Sequence, residues 1–277
     1  MSAAHEADYV LGTHAAEVAR LGLQHRVWRE ATDACWRRAG ITLGSRVIDV
    51  GAGPGYATAD LAEIVGAGGK VLAVERSARF IESARSRCQA RGLANVDFRE
   101  LDLMEDSLGD AAFDFAWCRW VASFVSSPAT LIENIARALR PGGSAIFHEY
   151  SDYGTWRIAP RRPAVERFTT EVMASWRASG GEPNVALLFP PLLRAAGLRL
   201  VNARPHLRVV SPADYTWQWP ASFIEINLER LQELGRVTSH WADDVRREFA
   251  EASADPASLL TTPLFLEMVS IKHGEAD

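Results

Sequence analysis

The chain has 277 residues, of which 48% are hydrophobic and 23% charged, the proportions of an ordinary soluble globular protein rather than of a disordered or fibrous one. Thirty-five acidic residues against 30 basic ones give a formal net charge of −5, which leaves no footprint for a polyanion and sets nucleic acid aside as a partner. Cys35, Cys88 and Cys118 lie far apart without a C-x-x-C spacing, so neither a disulfide framework nor a metal site is expected. Met1 to Val10 contains acidic residues and no apolar run, and no segment approaches the ~20 apolar residues of a membrane span; no leader, no membrane and a reducing cytoplasm are the expectations.

Residues 13 to 39 carry Val18, Leu21, Val27, Trp28, Ala31, Cys35 and Trp36 at helical spacing and stop at Gly40. Residues 1–42 thus read as an N-terminal helical cover, in which Tyr9, His14 and Gln24 are the polar groups able to reach a ligand. The run Val47-Ile48-Asp49-Val50 suits a strand buried on both faces of a parallel sheet, and it drives into Gly51, Gly53 and Gly55. Glycine there permits unusual dihedrals and a close approach of main-chain amides to a ligand, with the helix from Ala57 to Val65 pointing its N-terminus at the site.

A strand–helix rhythm follows. Val71 to Val74 is a strand ended by Glu75 and Arg76, and Ser77 caps a helix to about Gly92. Glu75, about 20 residues past the last glycine, is placed for a carboxylate that accepts both ribose hydroxyls of a nucleoside, with Arg76 beside it. Val96 to Glu100 alternates as a strand, Phe113 to Cys118 is the fourth, and Leu131 to Leu139 is a helix stopped by Arg140-Pro141-Gly142-Gly143 before a fifth strand, Ser144 to Phe147.

The spacing G-x-G-x-G after Asp49, the acid Asp102 and the L-R-P-G-G turn, in that order, resemble the class I S-adenosylmethionine-dependent methyltransferases over residues 43 to 150. The dinucleotide fingerprint differs, wanting G-x-G-x-x-G, and this argues against a nicotinamide-dependent oxidoreductase. The resemblance implies an α/β fold with a seven-stranded, mostly parallel, doubly wound sheet and helices on both faces. It also implies S-adenosylmethionine as cofactor and S-adenosylhomocysteine as product. Asp49, Gly51, Gly53, Gly55, Glu75 and Arg76 would then contact the cofactor, Asp102 would accept from the adenine amino group, and Leu103 would offer its amide. Cys118 and Arg119 fall where the family holds the methionine end, and Tyr9 and Gln24 would close over it.

At the mouth of the fifth strand stand His148, Glu149, Tyr150, Ser151, Asp152 and Tyr153. Of these His148 is the best general base, since imidazole titrates near neutrality, with Glu149 and Tyr153 beside it, although alternation forbids His148 and Glu149 from facing the same way. Strands at Leu198 to Val201 and Leu264 to Ile271 complete the sheet, and residues 43–277 read as one domain with cover insertions at about 151–190 and 211–262. The second insertion contains helices near 221–234 and 238–252. Tyr150, Tyr153, Trp156, Trp217, Trp219 and Phe223 in these covers suggest a flat or hydrophobic small molecule as methyl acceptor. After the fourth strand the chain lacks the Asn/Asp-Pro-Pro-aromatic signature of amide- and base-modifying members. It is most similar to bacterial small-molecule enzymes of ubiquinone, menaquinone and natural-product biosynthesis. A cofactor-binding protein that catalyses a step other than methylation, and a homodimer, stay open.

Overall fold

The computed structural model describes residues 15–274. In chain order it contains α1 (Ala15–Ala39), β1 (Arg46–Val50), α2 (Tyr56–Val65), β2 (Lys70–Glu75), α3 (Ala78–Ala90) and β3 (Val96–Glu100). Next come β4 (Phe113–Arg119), α4 (Pro128–Ala138), β5 (Leu139–Asp152), β6 (Arg157–Ala159), α5 (Pro163–Ala178) and α6 (Phe189–Ala195). The chain closes with β7 (Leu198–His206), β8 (Val209–Val210), α7 (Gln218–Glu233), α8 (Ser239–Ala254), β9 (Leu259–Thr261) and β10 (Leu264–Lys272).

Seven strands form one sheet in the order β3-β2-β1-β4-β5-β10-β7. The first five run parallel, and β10 pairs antiparallel with both β5 and β7. The seven-stranded, mostly parallel sheet expected from the sequence is therefore present. Local chemistry explains its joints. Ser77 Oγ accepts from Phe80 N–H at the start of α3, and Ser127 Oγ does the same for Thr130 N–H at α4. Val47, Ile48 and Val50 are fully buried between helices on the two faces, as a central parallel strand requires.

β5 begins at Leu139 rather than Ser144, so Arg140 to Gly143 form an irregularity inside the strand instead of a turn before it, and two further boundaries depart from the sequence reading in ways that matter for the site. The fifth strand does not stop at Phe147 but runs on to Asp152. Its parallel partner β4 ends at Arg119, opposite His148, so the last residues of β5 are held by β10 alone, with Tyr150 opposite Phe265 and Asp152 opposite Leu264. His148 to Asp152 are thus strand residues under the cover rather than a mouth. Likewise β7 continues past Val201 to His206 because β10 offers it a ladder that long.

A second sheet, β6-β9-β8, joins the segment after β5 to the segment between β7 and β10. With α1 they enclose an aromatic core of Trp28, Tyr150, Tyr153, Trp156, Phe168, Trp176, Trp219 and Phe223. Trp156 meets Phe168 and Phe223 edge-on at 5.7 and 5.5 Å between ring centroids, and Trp28 meets Phe265 at 4.8 Å. Each buried ring of this size contributes roughly 2–3 kcal/mol of hydrophobic stabilisation, with edge-to-face contacts adding to it.

Candidate functional site

At the carboxyl ends of β1, β2 and β4 lies a cavity of about 520 Å³, a volume suited to a cofactor with part of a second ligand. Gly51, Gly53 and Gly55 all have positive φ, at 68°, 54° and 78°. The three have different duties. A Cβ on Gly51 would sit 2.4 Å from Val121 Cγ2, and one on Gly55 would sit 2.5 Å from Ala84 Cβ, so these two let neighbouring segments pack against the turn. A Cβ on Gly53 would meet no heavy atom within 4 Å, and Gly53 lines the cavity; the space beside it is open to a ligand.

Glu75, at the tip of β2, faces the cavity and accepts three main-chain N–H bonds at 2.9 Å, from Gly53, Arg76 and Ser77. Burial pushes its pKa up, against these donors. A carboxylate has about four lone-pair positions, so three are engaged and one remains for a hydroxyl. Asp49 is buried beneath the glycine turn, accepts from Thr58 Oγ1 at 2.6 Å, and is pushed up to about 6 by burial. Asp102 accepts from Met104 N–H through Oδ1, while Arg76 Nη1 stands 3.9 Å from its Oδ2. Leu103, Met104 and Phe80 supply apolar wall beside it.

Arg119, the last residue of β4, brings a guanidinium to the same cavity. Its Nη2 lies 3.1 Å from His25 Nδ1 and its Nη1 donates to Thr32 Oγ1 at 3.3 Å, both on α1. Burial lowers its pKa to about 10, which leaves it charged at neutral pH. Among the described residues no carboxylate lies within ion-pairing distance of it. Gln24 also lines the cavity, with its Oε1 accepting from Arg20 Nη1 and Trp219 Nε1.

Of the residues expected to contact cofactor, Gln24, Asp49, Gly51, Gly53, Glu75, Arg76, Asp102, Leu103 and Arg119 converge on this one cavity. Gly55 packs behind the turn, and Cys118 is fully buried on β4 and absent from the lining. Tyr9 and His14 lie outside the described residues.

The three expected catalytic side chains do not reach the cavity, and the reason is the length of β5. His148 is fully buried on the face toward α1, with its ring 4.7 Å from Trp117, 5.1 Å from Phe265 and 5.7 Å from His206. Among the described residues neither ring nitrogen has a hydrogen-bond partner, and burial drives its pKa well below the usual histidine value, so it is neutral. Its Nε2 shares a pocket with Cys35 Sγ and a Glu267 carboxylate, within 4.8 Å of one another. Glu267, however, is already matched by Arg38 at 2.6 Å and His206 at 3.0 Å, and burial holds the Cys35 thiol protonated.

Glu149 faces the other way, as alternation demands. Its Oε1 accepts from Val121 and Ala122 N–H at 2.9 Å and its Oε2 from Ser123 Oγ at 3.1 Å, so it fastens the segment after β4 from behind; burial pushes it up to about 7. Tyr153 is buried among Tyr150, Trp156, Trp176 and Phe223. The cover aromatics singled out in the sequence are likewise core rather than cavity wall: none of Tyr150, Tyr153, Trp156, Trp217, Trp219 and Phe223 is in the lining.

Several lining residues were not singled out in the sequence. Trp120, Val121, Phe124, Val125 and Ser126 follow β4, Leu21 comes from α1, and Ser179 from the end of α5. Trp120 has φ 53°, a left-handed conformation that costs an aromatic residue of the order of 1–3 kcal/mol. It is held there by its N–H bond to the His148 carbonyl and by stacking on Tyr150 at 5.4 Å. His25 and Thr32 were also missed. Their signal was present: both fall on the Leu21-Trp28-Cys35 stripe of α1, where polar residues at apolar register mark a buried network.

Residues 48–147 match the family model described as a methyltransferase domain. The ubiquinone/menaquinone biosynthesis C-methyltransferase of Idiomarina loihiensis is 28% identical over 128 residues, 46% of this chain and 50% of that protein. The chain thus spans about half the length of the curated relatives it matches. Two solved structures share the fold: a geranyl diphosphate methyltransferase in complex with its diphosphate and sinefungin (TM-score 0.56, 16% identity, 88% of this chain and 78% of that one) and a [4+2]-cyclase (TM-score 0.55, 21% identity, 88% and 81%).

Proposed function

Starting from a class I S-adenosylmethionine-dependent methyltransferase domain over residues 48–147, similar to that of the ubiquinone and menaquinone enzymes, we propose that this chain methylates a small aromatic or hydrophobic acceptor. The observation that supports this most directly is the cavity beside Gly53. A side chain there would fill space that none of the described residues occupies, and Glu75, Asp102 and Arg119 are spread along the same cavity. These groups fit an adenosyl amino acid: Glu75 for a ribose hydroxyl, Asp102 and Leu103 for the adenine edge, Arg119 for a carboxylate.

S-adenosylmethionine, when bound, supplies an electrophilic methyl group on sulfur. The protein's share is alignment and exclusion of water, for which Trp120, Val121 and Phe124 provide an apolar wall next to the cofactor groups. Transfer would form a bond from the acceptor to the methyl carbon and break that carbon's bond to sulfur, with S-adenosylhomocysteine as the product.

The titratable side chains of the described lining are Asp49, Tyr56, Glu75, Arg76, Asp102, Glu105 and Arg119. Glu75 is engaged by the Gly53 N–H and Asp49 by Thr58 Oγ1, and the acceptor is read as one that is nucleophilic as bound. An electron-rich ring ionised at a hydroxyl before transfer fits this requirement, and carbon methylation of a quinol-like ring is the favoured case, in line with the name of the curated relative; the hydrogen on the methylated carbon would then pass through water to the ring oxygen, restoring the hydroxyl and the aromatic ring.

Calorimetry with S-adenosylhomocysteine and with NADH tests the cofactor; heat with NADH alone would overturn the reading. Turnover with a panel of naphthols, quinols and catechols, followed by mass spectrometry, tests the reaction. A product heavier by one methylene unit, with demethylated cofactor released, is the expected result. A rearranged substrate with the cofactor intact would assign the chain to the other chemistry that this fold supports.

A further inference from the structure

We infer that Asp60 and His25 form a relay that positions the Arg119 guanidinium to hold the carboxylate at the amino-acid end of the cofactor, an inference that rests on the proposed function. The starting observation is an unmatched cation. Arg119 faces the cavity, is partly withdrawn from water, and has no acidic partner within ion-pairing distance among the described residues. A buried charge without a counter-charge is costly, and a ligand anion removes that cost.

What holds Arg119 instead is a neutral acceptor. A guanidinium can only donate, so His25 Nδ1, 3.1 Å from Nη2, must be the accepting nitrogen and the imidazole proton must sit on Nε2. Nε2 lies 2.9 Å from Asp60 Oδ2, which accepts that proton's hydrogen bond and fixes both tautomer and ring orientation. Asp60 is anchored in turn by Arg29 at 3.0 Å and Arg91 at 2.8 Å. Tyr56 lies parallel to the His25 ring at 5.8 Å, while Trp117 and Trp120 flank the guanidinium at 5.8 and 5.2 Å.

The arrangement has a purpose that a direct ion pair would defeat. An aspartate touching Arg119 would orient it but also neutralise it. An imidazole between the two orients the guanidinium while leaving its charge for the ligand, and Asp60 strengthens Nδ1 as an acceptor. Burial keeps His25 neutral, lowering its pKa to about 4, so that no second cation forms beside Arg119 at physiological pH.

The test compares calorimetric affinities for S-adenosylhomocysteine and for 5′-methylthioadenosine, which keeps the adenosyl thioether but lacks the amino acid. Arg119→Gln is expected to weaken the first ligand by ~10–100-fold and the second by less than ~2-fold. His25→Gln, whose amide reaches the Nε2 position and leaves Arg119 without its acceptor, is expected to weaken S-adenosylhomocysteine alone by ~3–10-fold. His25→Asn, whose amide oxygen falls near Nδ1, is expected to recover affinity to within ~2-fold of the parent. Circular dichroism confirms that each variant folds.

If the glutamine and asparagine variants bind equally, or if both ligands weaken together, the relay is packing only and the inference fails. If Arg119→Gln leaves S-adenosylhomocysteine binding unchanged, the inference fails while the proposed function stands. If the parent protein binds neither ligand, the proposed function falls and the inference with it.

Discussion

At the tips of β1 and β2 the cavity wall is made of backbone amides and the acids that hold them, whereas the cover above is held by interlocking rings. Gly53, Arg76 and Ser77 all donate to one carboxylate at the tip of β2. In the cover, Trp156, Phe168, Trp176 and Phe223 touch chiefly one another. The first region is set by polar geometry, with close packing behind Gly51 and Gly55 and open space beside Gly53; the second is set by volume, and among the described residues it contributes to the cavity at its edge, through Ser179 and α1. Their responses to substitution should therefore separate cleanly into ligand affinity and stability.

The largest expected effect breaks the cover. Trp156→Ala removes a fully buried indole and should cost about 3–5 kcal/mol in denaturant unfolding. S-adenosylhomocysteine affinity, measured where the variant is still folded, should change little; a loss of affinity larger than the loss of stability would put this ring in the site. Acid should come next, acting on the junction between the regions. The native pKa of His25, about 4, lies below its unfolded value near 6.5. Its stabilising contribution is thus complete above pH 6.5 and is lost as pH falls through 4, a change of about 3 kcal/mol. Urea melts at pH 7 and pH 4.5 should show His25→Asn losing less stability on acidification than the parent does.

Gly53→Val sharpens the contrast from the other side. It should reduce cofactor-product affinity by more than ~100-fold through occupation of the cavity, with a stability cost near 1 kcal/mol from its positive φ. Gly51→Val, whose Cβ meets Val121, should instead fail first in folding yield. Glu75→Ala removes the acceptor shared by three amides and should weaken the same affinity by about 2 kcal/mol in calorimetry. The smallest effect belongs to His148→Leu. It removes two buried nitrogens without partners, so turnover should stay near the parent's, and stability should hold or rise by about 1 kcal/mol in the melt. A large fall in turnover would restore His148 to the chemistry.

The same division governs how much could be read in advance. Turns and caps are local: Gly51 and Gly53 need positive φ, Ser77 needs only the N–H three residues on, and Val47 to Val50 need only to be apolar. The part of the cavity around the glycine turn was legible for that reason. The length of β5 is a tertiary matter, since Tyr150 and Asp152 are strand residues only because β10, more than a hundred residues later, lies beside them. Without that partner, His148 and Glu149 read as an open mouth. The cover sheet was invisible too, because β6, β8 and β9 have two or three residues each, too few for any alternation to show. In α1 the apolar stripe was seen, and the polar groups embedded in it, His25 and Thr32, were passed over because their partner Arg119 lies some ninety residues away.

Glu149 carries one more consequence. Its carboxylate grips the amides of Val121 and Ala122 from the side away from solvent, and Val121 is also the residue that presses on Gly51. Pocket width is therefore adjusted from the rear, like a wall on a tie rod. Shortening the rod by one carbon, Glu149→Asp, withdraws the anchor by ~1.5 Å and should draw Val121 back and widen the cavity there without changing any lining residue, which turnover with larger rings of the acceptor panel would show.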